Sequence, residues 1–564
     1  MTLRAKETIP MEKKQSLSRA GLYAAFILLA GLTAAVYSNT LSAPFIFDDI
    51  GNIVQNPGIR GPLLSKNSVI PHPLSGITRR PVAHFTLAAN YAAGGLDPSG
   101  YHLFNIGVHI IAALFLFGII RRSLLSPRLS GRFGGRADLL AFFCALLWAM
   151  HPLNTQAVTY VIQRCESLMG MFFLGAVYMA VRGFFSERPK KWHAGAVTLF
   201  FLGAGVKEVM IAAPLFIFLY DVVMTEKRPG EALKKSPGLY SGLALGVVFL
   251  VFLAGFGAGR SATGHERTFS ALEYLVSQPS AIARYAELSV WPQGLCLDYG
   301  WAALPLSRTW PYGLALLALL AATAYALFRR SPAGLTGAWF FLALGPSSSF
   351  FPVPDLIFEH RMYLSLAAFT SLFILGSFRL AGQRGSRMAL LACLWAATAL
   401  ALGLSAHNRN RDYATEVGIW ADTVQKAPEN PRAHANYGMA LLNANDPLEA
   451  AKALSRSVML KDDSPGVWYD LGNAWAALKE FEKAKGSYAI SLKINPHHPK
   501  AWLNLGNVLL KTGDLEKAAQ CYKNVLALLP GNEAAKKNLA VALSMMKNGP
   551  TLGDVKSGDR KADS

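Results

Sequence analysis

Apolar residues fall in long blocks between about positions 20 and 405 and then stop doing so. The blocks cover 20–38, 102–120, 139–150, 167–185, 239–257, 311–328, 335–351, 363–380 and 387–405. A helix needs about 20 mainly apolar residues to cross a bilayer core, so these blocks predict membrane spans. The block at 194–224 is too long for one simple span, since about 30 helical residues would extend ~45 Å. Lys207-Glu208 interrupts it and predicts two tilted spans that meet at an outer turn. The piece from Ala281 to Val290, ending at Trp291-Pro292, is short enough to dip into the membrane or lie on it. The pattern predicts about eleven spans.

Charge orients them. Arg4, Lys6, Lys13, Lys14 and Arg19 precede the first block, and Arg121, Arg122, Arg128, Arg132 and Arg136 fill the connection after the second. Basic loops stay cytoplasmic, which predicts an inside N-terminus and an outside C-terminal domain. The net charge of +20 would otherwise suggest nucleic acid. Its clustering beside apolar blocks accounts for it, so no nucleic-acid partner is expected. Hydrophobic residues make up 52% and charged residues 16%, as a polytopic membrane protein requires. Cys165 and Cys296 both fall in predicted outer loops, and the sequence leaves open whether they pair. No CxxC pair suggests a metal site.

Beyond position 405 a fixed period takes over. Pro431, Pro465 and Pro499 recur every 34 residues, as do Gly438, Gly472 and Gly506, and Ala450, Ala484 and Ala518. Trp468 and Trp502, and Tyr488 and Tyr522, keep the same register. This is the tetratricopeptide pattern, in which small residues let two antiparallel helices approach and aromatics fill the groove between repeats. Trp420 and Pro428 fit the second half of a divergent earlier repeat, and residues 533–546 fit a terminal covering helix. The expected organisation is a cytoplasmic N-terminus (1–19), a multi-span domain (20–405), repeats with a terminal helix (406–546) and a disordered tail (547–564).

Ionisable side chains gather at one predicted face. Asp48 and Asp49 follow the first span, inside Pro44-Phe45-Ile46-Phe47-Asp48-Asp49. Arg79 and Arg80, His151, Arg164 and Glu166, Lys207 and Glu208, and Glu359, His360 and Arg361 lie on the same side. An acid in a water-poor site can act as a general base, and basic groups can hold a phosphate. That inventory suits attack on a lipid-phosphate-linked group at a membrane surface. Each member also has a plain alternative. The acid pair could solvate a turn, Lys207-Glu208 could be an ion pair at a bend, His151-Pro152 could end a helix, and Glu359-His360-Arg361 could be a solvated loop.

Phe47-Asp48-Asp49, Arg80-Pro81, His151-Pro152, Gln163-Arg164-Cys165-Glu166, Lys207-Glu208, Leu219-Tyr220-Asp221 and Glu359-His360-Arg361-Met362-Tyr363-Leu364, followed by the repeats, resemble one family. It is the transmembrane-and-tetratricopeptide O-mannosyltransferases, within the multi-span GT-C glycosyltransferases. The resemblance runs from about residue 21 to 545. It implies an all-α fold: a polytopic GT-C-like membrane domain followed by a tetratricopeptide α-solenoid. It also implies an inverting, metal-independent transfer without a cofactor. A polyprenyl-phosphate monosaccharide would donate a single sugar to Ser/Thr of exported proteins. Asp48, with Asp49 second, would be the base. Arg361 and His360, with Arg80, Arg164 or Lys207, would hold the donor phosphate, supported by Glu359, Glu166, Glu208 and His151. The repeats would present the acceptor, through Trp468, Tyr469, Trp502 and Asn504. A basic, compact chain with few repeats and no Asn-x-Ser/Thr acceptor resembles a bacterial member, which places it in a cytoplasmic membrane with periplasmic repeats. Two alternatives remain at this point: a non-catalytic scaffold that recruits envelope or pilus partners through the repeats, and a lipid-linked oligosaccharide ligase. Which sugar, which acceptor proteins and what oligomeric state are not readable from the residues.

Overall fold

The structure, a computed structural model, describes residues 17–71, 76–255, 269–349, 352–381 and 385–548. Most of the N-terminal segment 1–19 and of the tail 547–564 lies outside these residues. Among them every regular element is helical. The chain divides into two units. One comprises residues up to Leu297 together with Trp301–Thr415, and the other Glu416 onward together with Asp298–Gly300.

The first unit is built from α1 (Arg19–Tyr37), α2 (Pro81–Gly94), α3 (Pro98–Leu125), α4 (Ala137–Ala149), α5 (Arg164–Phe184), α6 (Pro189–Ala204), α7 (Ala212–Met224), α8 (Pro237–Gly255), α9 (Ala271–Val290), α10 (Leu306–Phe328), α11 (Pro332–Leu344), α12 (Met362–Ala381) and α13 (Gly385–Asp412). Local chemistry sets several of the starts. The Asp97 side chain accepts the Ser99 N–H at 3.0 Å and Pro98 occupies the first turn of α3. At α9, Ser270 and Glu273 form a reciprocal capping box. Close helix approach is bought with glycine: a Cβ on Gly170 of α5 would overlap the Tyr363 ring of α12.

Among the described residues, seven helices are long and apolar enough to cross a membrane, or nine if each of two bent helix pairs counts as one span. The sequence pattern predicts about eleven. The difference lies in α4, α7 and α11, of 13 residues each, and in α6, of 16 residues; α4 and α7 are the apolar members of the two bent pairs. Each is shorter than a bilayer crossing requires by itself. The stretch at 281–290 is the second half of α9, a helix of 20 residues. The last helix of the unit continues past position 405 to Asp412. No residue in the most apolar window of α10 is fully buried, and the helix packs along one side against α9 and α11, where Gly334 and Gly337 let it approach Leu327 and Thr323 closely.

The second unit stacks antiparallel helix pairs: α14 (Glu416–Lys426), α15 (Pro431–Asn443), α16 (Pro447–Leu460), α17 (Pro465–Ala477), α18 (Phe481–Ile494), α19 (Pro499–Lys511), α20 (Leu515–Leu528) and α21 (Glu533–Asn548). The repeated glycines have a physical reason. A Cβ on Gly472 would meet the Tyr488 ring, and one on Gly506 the Tyr522 ring. Those tyrosines donate to Asn473 at 2.8 Å and to Asn507 at 3.0 Å. The terminal helix buries Ala535 and Ala542, as a covering helix should.

Candidate functional site

The acid pair sits on a sharp turn in the first unit. After α1 the chain makes a 3-10 turn at Ser38–Thr40 and then runs irregularly to Phe47, whose φ of 46° lies in the left-handed region. For an aromatic residue that costs of order 1–3 kcal/mol and needs compensation nearby. Asp49 supplies it. One carboxylate oxygen accepts the Ile46 N–H at 3.1 Å, and the other accepts the Ile162 N–H at 2.7 Å. Asp49 thereby ties the loop to the segment that opens α5. It is 0% exposed, and burial pushes its carboxyl up to about 8, against the pull of the two backbone donors and with the neighbouring Asp48 adding to the rise. Asp48, one residue earlier, is exposed. Its own N–H donates to the Tyr160 hydroxyl at 2.9 Å, and its carbonyl accepts from Asn52 at 2.8 Å. The two carboxylates therefore have opposite surroundings.

The cationic side is assembled by a second junction. The Val82 N–H, in the first turn of α2, donates to the Gly205 carbonyl at 3.0 Å, just after α6. A Cβ on Gly205 would strike Val82. This brings Arg80 beside the Lys207-Glu208 break. Lys207 pairs with Glu166 of α5, at 10% and 3% side-chain exposure. Burial opposes the charge on Arg80, and Cys165, Glu208 and Glu166 favour it, leaving the guanidinium above its ordinary value. His360 lies within electrostatic reach of Lys207, Arg361 and Arg80. Glu208 is exposed, and Arg80 is half-buried.

The remaining residues are spent on the fold. Arg164 is 0% exposed, donates to Asn90 at 2.6 Å and to the Tyr101 carbonyl at 3.2 Å, and lies 4.7 Å from the Phe104 ring centre. Arg361 donates to the Tyr274 hydroxyl at 3.1 Å, the Leu356 carbonyl at 3.1 Å and the Asp355 carbonyl at 2.7 Å. His360 turns both its backbone N–H and its Nδ1 toward Gln156 Oε1, at 3.0 and 2.9 Å, and stacks on Phe358. Glu359 is buried and accepts the Cys296 N–H. His151 Nδ1 accepts the Leu153 N–H at 3.2 Å and so caps the start of the short 3-10 turn Pro152–Asn154; its Nε2 meets the Ser289 carbonyl at 3.2 Å. Cys165 and Cys296 are not joined in a disulfide. Among the described residues, no group of three or more His, Cys, Asp or Glu side chains is placed to hold a metal ion.

Two contributors escaped the sequence reading: Tyr160 and Gln156. Both lie between His151 and Arg164, in an uncharged stretch that also holds Asn154, Thr155, Thr159 and Gln163, so nothing in the sequence singles them out.

In the second unit, the Trp468 and Trp502 indoles donate to the Asp462 and Pro496 carbonyls, at 2.8 and 2.9 Å. Asn504 bridges to Asn473 at 2.9 Å and to the Tyr469 hydroxyl at 3.2 Å. All four residues are half-buried and link repeats to one another.

Residues 499–532 match the tetratricopeptide repeat family. The chain is similar over 83% of its length to Protein O-mannosyl-transferase TMTC3 of Mus musculus, at 23% identity, covering 54% of that protein. It is similar over 84% of its length to Protein O-mannosyl-transferase Tmtc3 of Drosophila melanogaster, at 25% identity, covering 59% of that protein. The family resemblance carried by the motifs thus extends over most of the chain, while the chain spans little more than half the length of these relatives. ArnT from Cupriavidus metallidurans bound to undecaprenyl phosphate aligns over 86% of this chain and 81% of its own, at 15% identity and a TM-score of 0.40.

Proposed function

We propose that the chain is a membrane glycosyltransferase that moves a single sugar, mannose or a similar hexose, from a polyprenyl-phosphate donor to Ser/Thr of exported proteins. In this reading the first unit is the transferase and the repeats present the acceptor. The site faces the non-cytoplasmic side of a bacterial cytoplasmic membrane. The observation that carries it is the division of the acid pair: Asp49 is locked into the fold, and Asp48 is presented beside Tyr160. The similarity to proteins named O-mannosyl-transferases supports it independently.

The Asp48 carboxylate takes the proton from the acceptor hydroxyl as its oxygen bonds to the anomeric carbon. The bond from that carbon to the donor phosphate breaks, and the lipid phosphate leaves with the electron pair. Its charge needs cations rather than a proton, unlike the leaving group of a glycosidase. Arg80 and Lys207 supply that charge. Arg361, Arg164 and His360 act behind them as positioning residues, because their donors already hold carbonyls, a hydroxyl and side-chain amides. Buried Glu166 and Glu359, exposed Glu208 and turn-capping His151 support this arrangement.

The test is transfer by the purified full-length chain in detergent or nanodiscs, with polyprenyl-phosphate mannose and an exported-protein acceptor, read by intact mass. A single-hexose increment that Asp48→Asn abolishes supports the reading. Addition of a preassembled glycan indicates a ligase, and no mass change under any donor counts against an enzyme.

A further inference from the structure

A cavity of about 380 Å3 lies away from the acid turn. It is lined by the C-terminal halves of α3 and α12 together with α7 and α11. The acid and cation cluster sits at the N-terminal ends of α3 and α12. Arg361 and Gly376 are 15 residues apart on that helix, roughly 22 Å along its axis.

The walls are apolar: Ile120 from α3, Phe216 from α7, Leu335 and Trp339 from α11, and Ala368 and Leu375 from α12. Of the uncharged polar residues on its lining, Ser123 and Tyr220 satisfy each other through a 2.8 Å hydrogen bond, and Ser331, Thr336 and Ser371 are the others. Arg132 and Arg379 also line the cavity, and both are exposed. Leu372 and Leu380 beside it are 59% and 89% exposed, which fits a hydrocarbon environment and not water. The combination is a greasy slot with a cationic rim, at the end of the unit where the arginine-rich 121–136 connection lies. A slot of this size falls within the range of small-molecule sites.

We propose that this cavity seats one acyl chain of an anionic glycerophospholipid, whose phosphate and headgroup are held by Arg132 and Arg379. The apolar wall alone would accept any lipid tail. The pair of arginines selects net negative charge, by charge complementarity. The site is distinct from the donor's, because it lies at the other end of the same helices, and it does not depend on the sugar-transfer reading.

The experiment places the full-length chain in nanodiscs of phosphatidylcholine with a minority of phosphatidylglycerol and counts co-released lipids by native mass spectrometry. The wild-type protein is expected to retain one phosphatidylglycerol in preference to phosphatidylcholine. Arg132→Gln with Arg379→Gln, both on exposed side chains, should cut that preference by up to about thirtyfold, at about fivefold for each charge removed. Gly376→Leu should expel the lipid while leaving both charges in place, since a Cβ there meets open space within the cavity lining. Should that variant fail to fold, the arginine pair still decides. Equal retention of both lipids by the wild type overturns the proposal. So does a phosphatidylglycerol preference that survives the arginine changes, or displacement of the bound lipid by undecaprenyl phosphate.

Discussion

Substituting the two adjacent aspartates one at a time should split activity from stability. Asp48 is exposed, and its backbone N–H donates to the Tyr160 hydroxyl whether or not the side chain is a carboxylate. Asp48→Asn should therefore change folding stability by no more than about 0.5 kcal/mol. If its carboxylate is the base, turnover should fall by about 10²–10⁴, the usual contribution of general-base catalysis. Asp49 has the opposite profile. Asp49→Ala strands the Ile46 and Ile162 N–H groups in a site with no solvent access. At about 1–3 kcal/mol for each buried group left unsatisfied, the loss is about 2–6 kcal/mol before any cavity cost. The strained Phe47 turn loses its clamp at the same time. The assay pairs thermal unfolding of detergent-solubilised protein with single-hexose transfer by the folded fraction. Asp48→Asn that keeps more than a tenth of wild-type turnover would sink the assignment of the base. Asp49→Ala that melts like the wild type would sink the account of the turn.

Other outcomes follow from the same contacts. Stability should fall as pH rises from about 4 toward 8, because the folded state keeps a proton on Asp49 that the unfolded chain has lost; Asp49→Asn should flatten that part of a melting-temperature profile. Tyr160→Phe removes the acceptor of the Asp48 N–H, costing about 0.5–1.5 kcal/mol, and should lower kcat with little change in acceptor KM. Lys207→Met leaves Glu166 buried and unpaired and should destabilise by about 3–5 kcal/mol, while Lys207→Met with Glu166→Gln recovers much of the loss; chemical denaturation of both variants checks it. Arg361→Lys should loosen the 355–361 segment even without donor, because an ammonium cannot span the three acceptors that the planar fork reaches; hydrogen exchange of that segment measures it.

The sequence makes some features plain and others invisible, for reasons that can be named. The repeats are legible because Gly472 under Tyr488 and Gly506 under Tyr522 are one steric requirement stated twice at a fixed period. The gathering of Arg80, Lys207 and His360 in one unit is legible from loops that alternate in charge. The span count is less so, because hydropathy does not reveal how soon a helix ends: α11 stops at Leu344, short of the 335–351 apolar block. The commitment of Arg164 and Arg361 is hidden altogether. An arginine that will satisfy backbone carbonyls and one that will meet a phosphate are the same letter, and the acceptors lie far off in sequence: Asn90 for Arg164 and Tyr274 for Arg361.

The doublet of acids has a geometric logic that a single aspartate would lack. Asp48 and Asp49 begin a helical turn that continues into the wide-turn segment Ile50–Val54. Successive side chains on such a turn diverge by about 100°, so neighbours cannot share one face. One carboxylate must point into the protein when the other points out. The inner one finds two backbone donors, which fixes the turn, and fixing the turn fixes where the outer one projects. The left-handed Phe47 sets the angle at which that turn begins. Rigidity at Asp49 is thus the means by which an exposed loop can hold Asp48 to the tolerance that proton transfer demands. Separating the two acids by one inserted residue would preserve the composition and destroy that coupling.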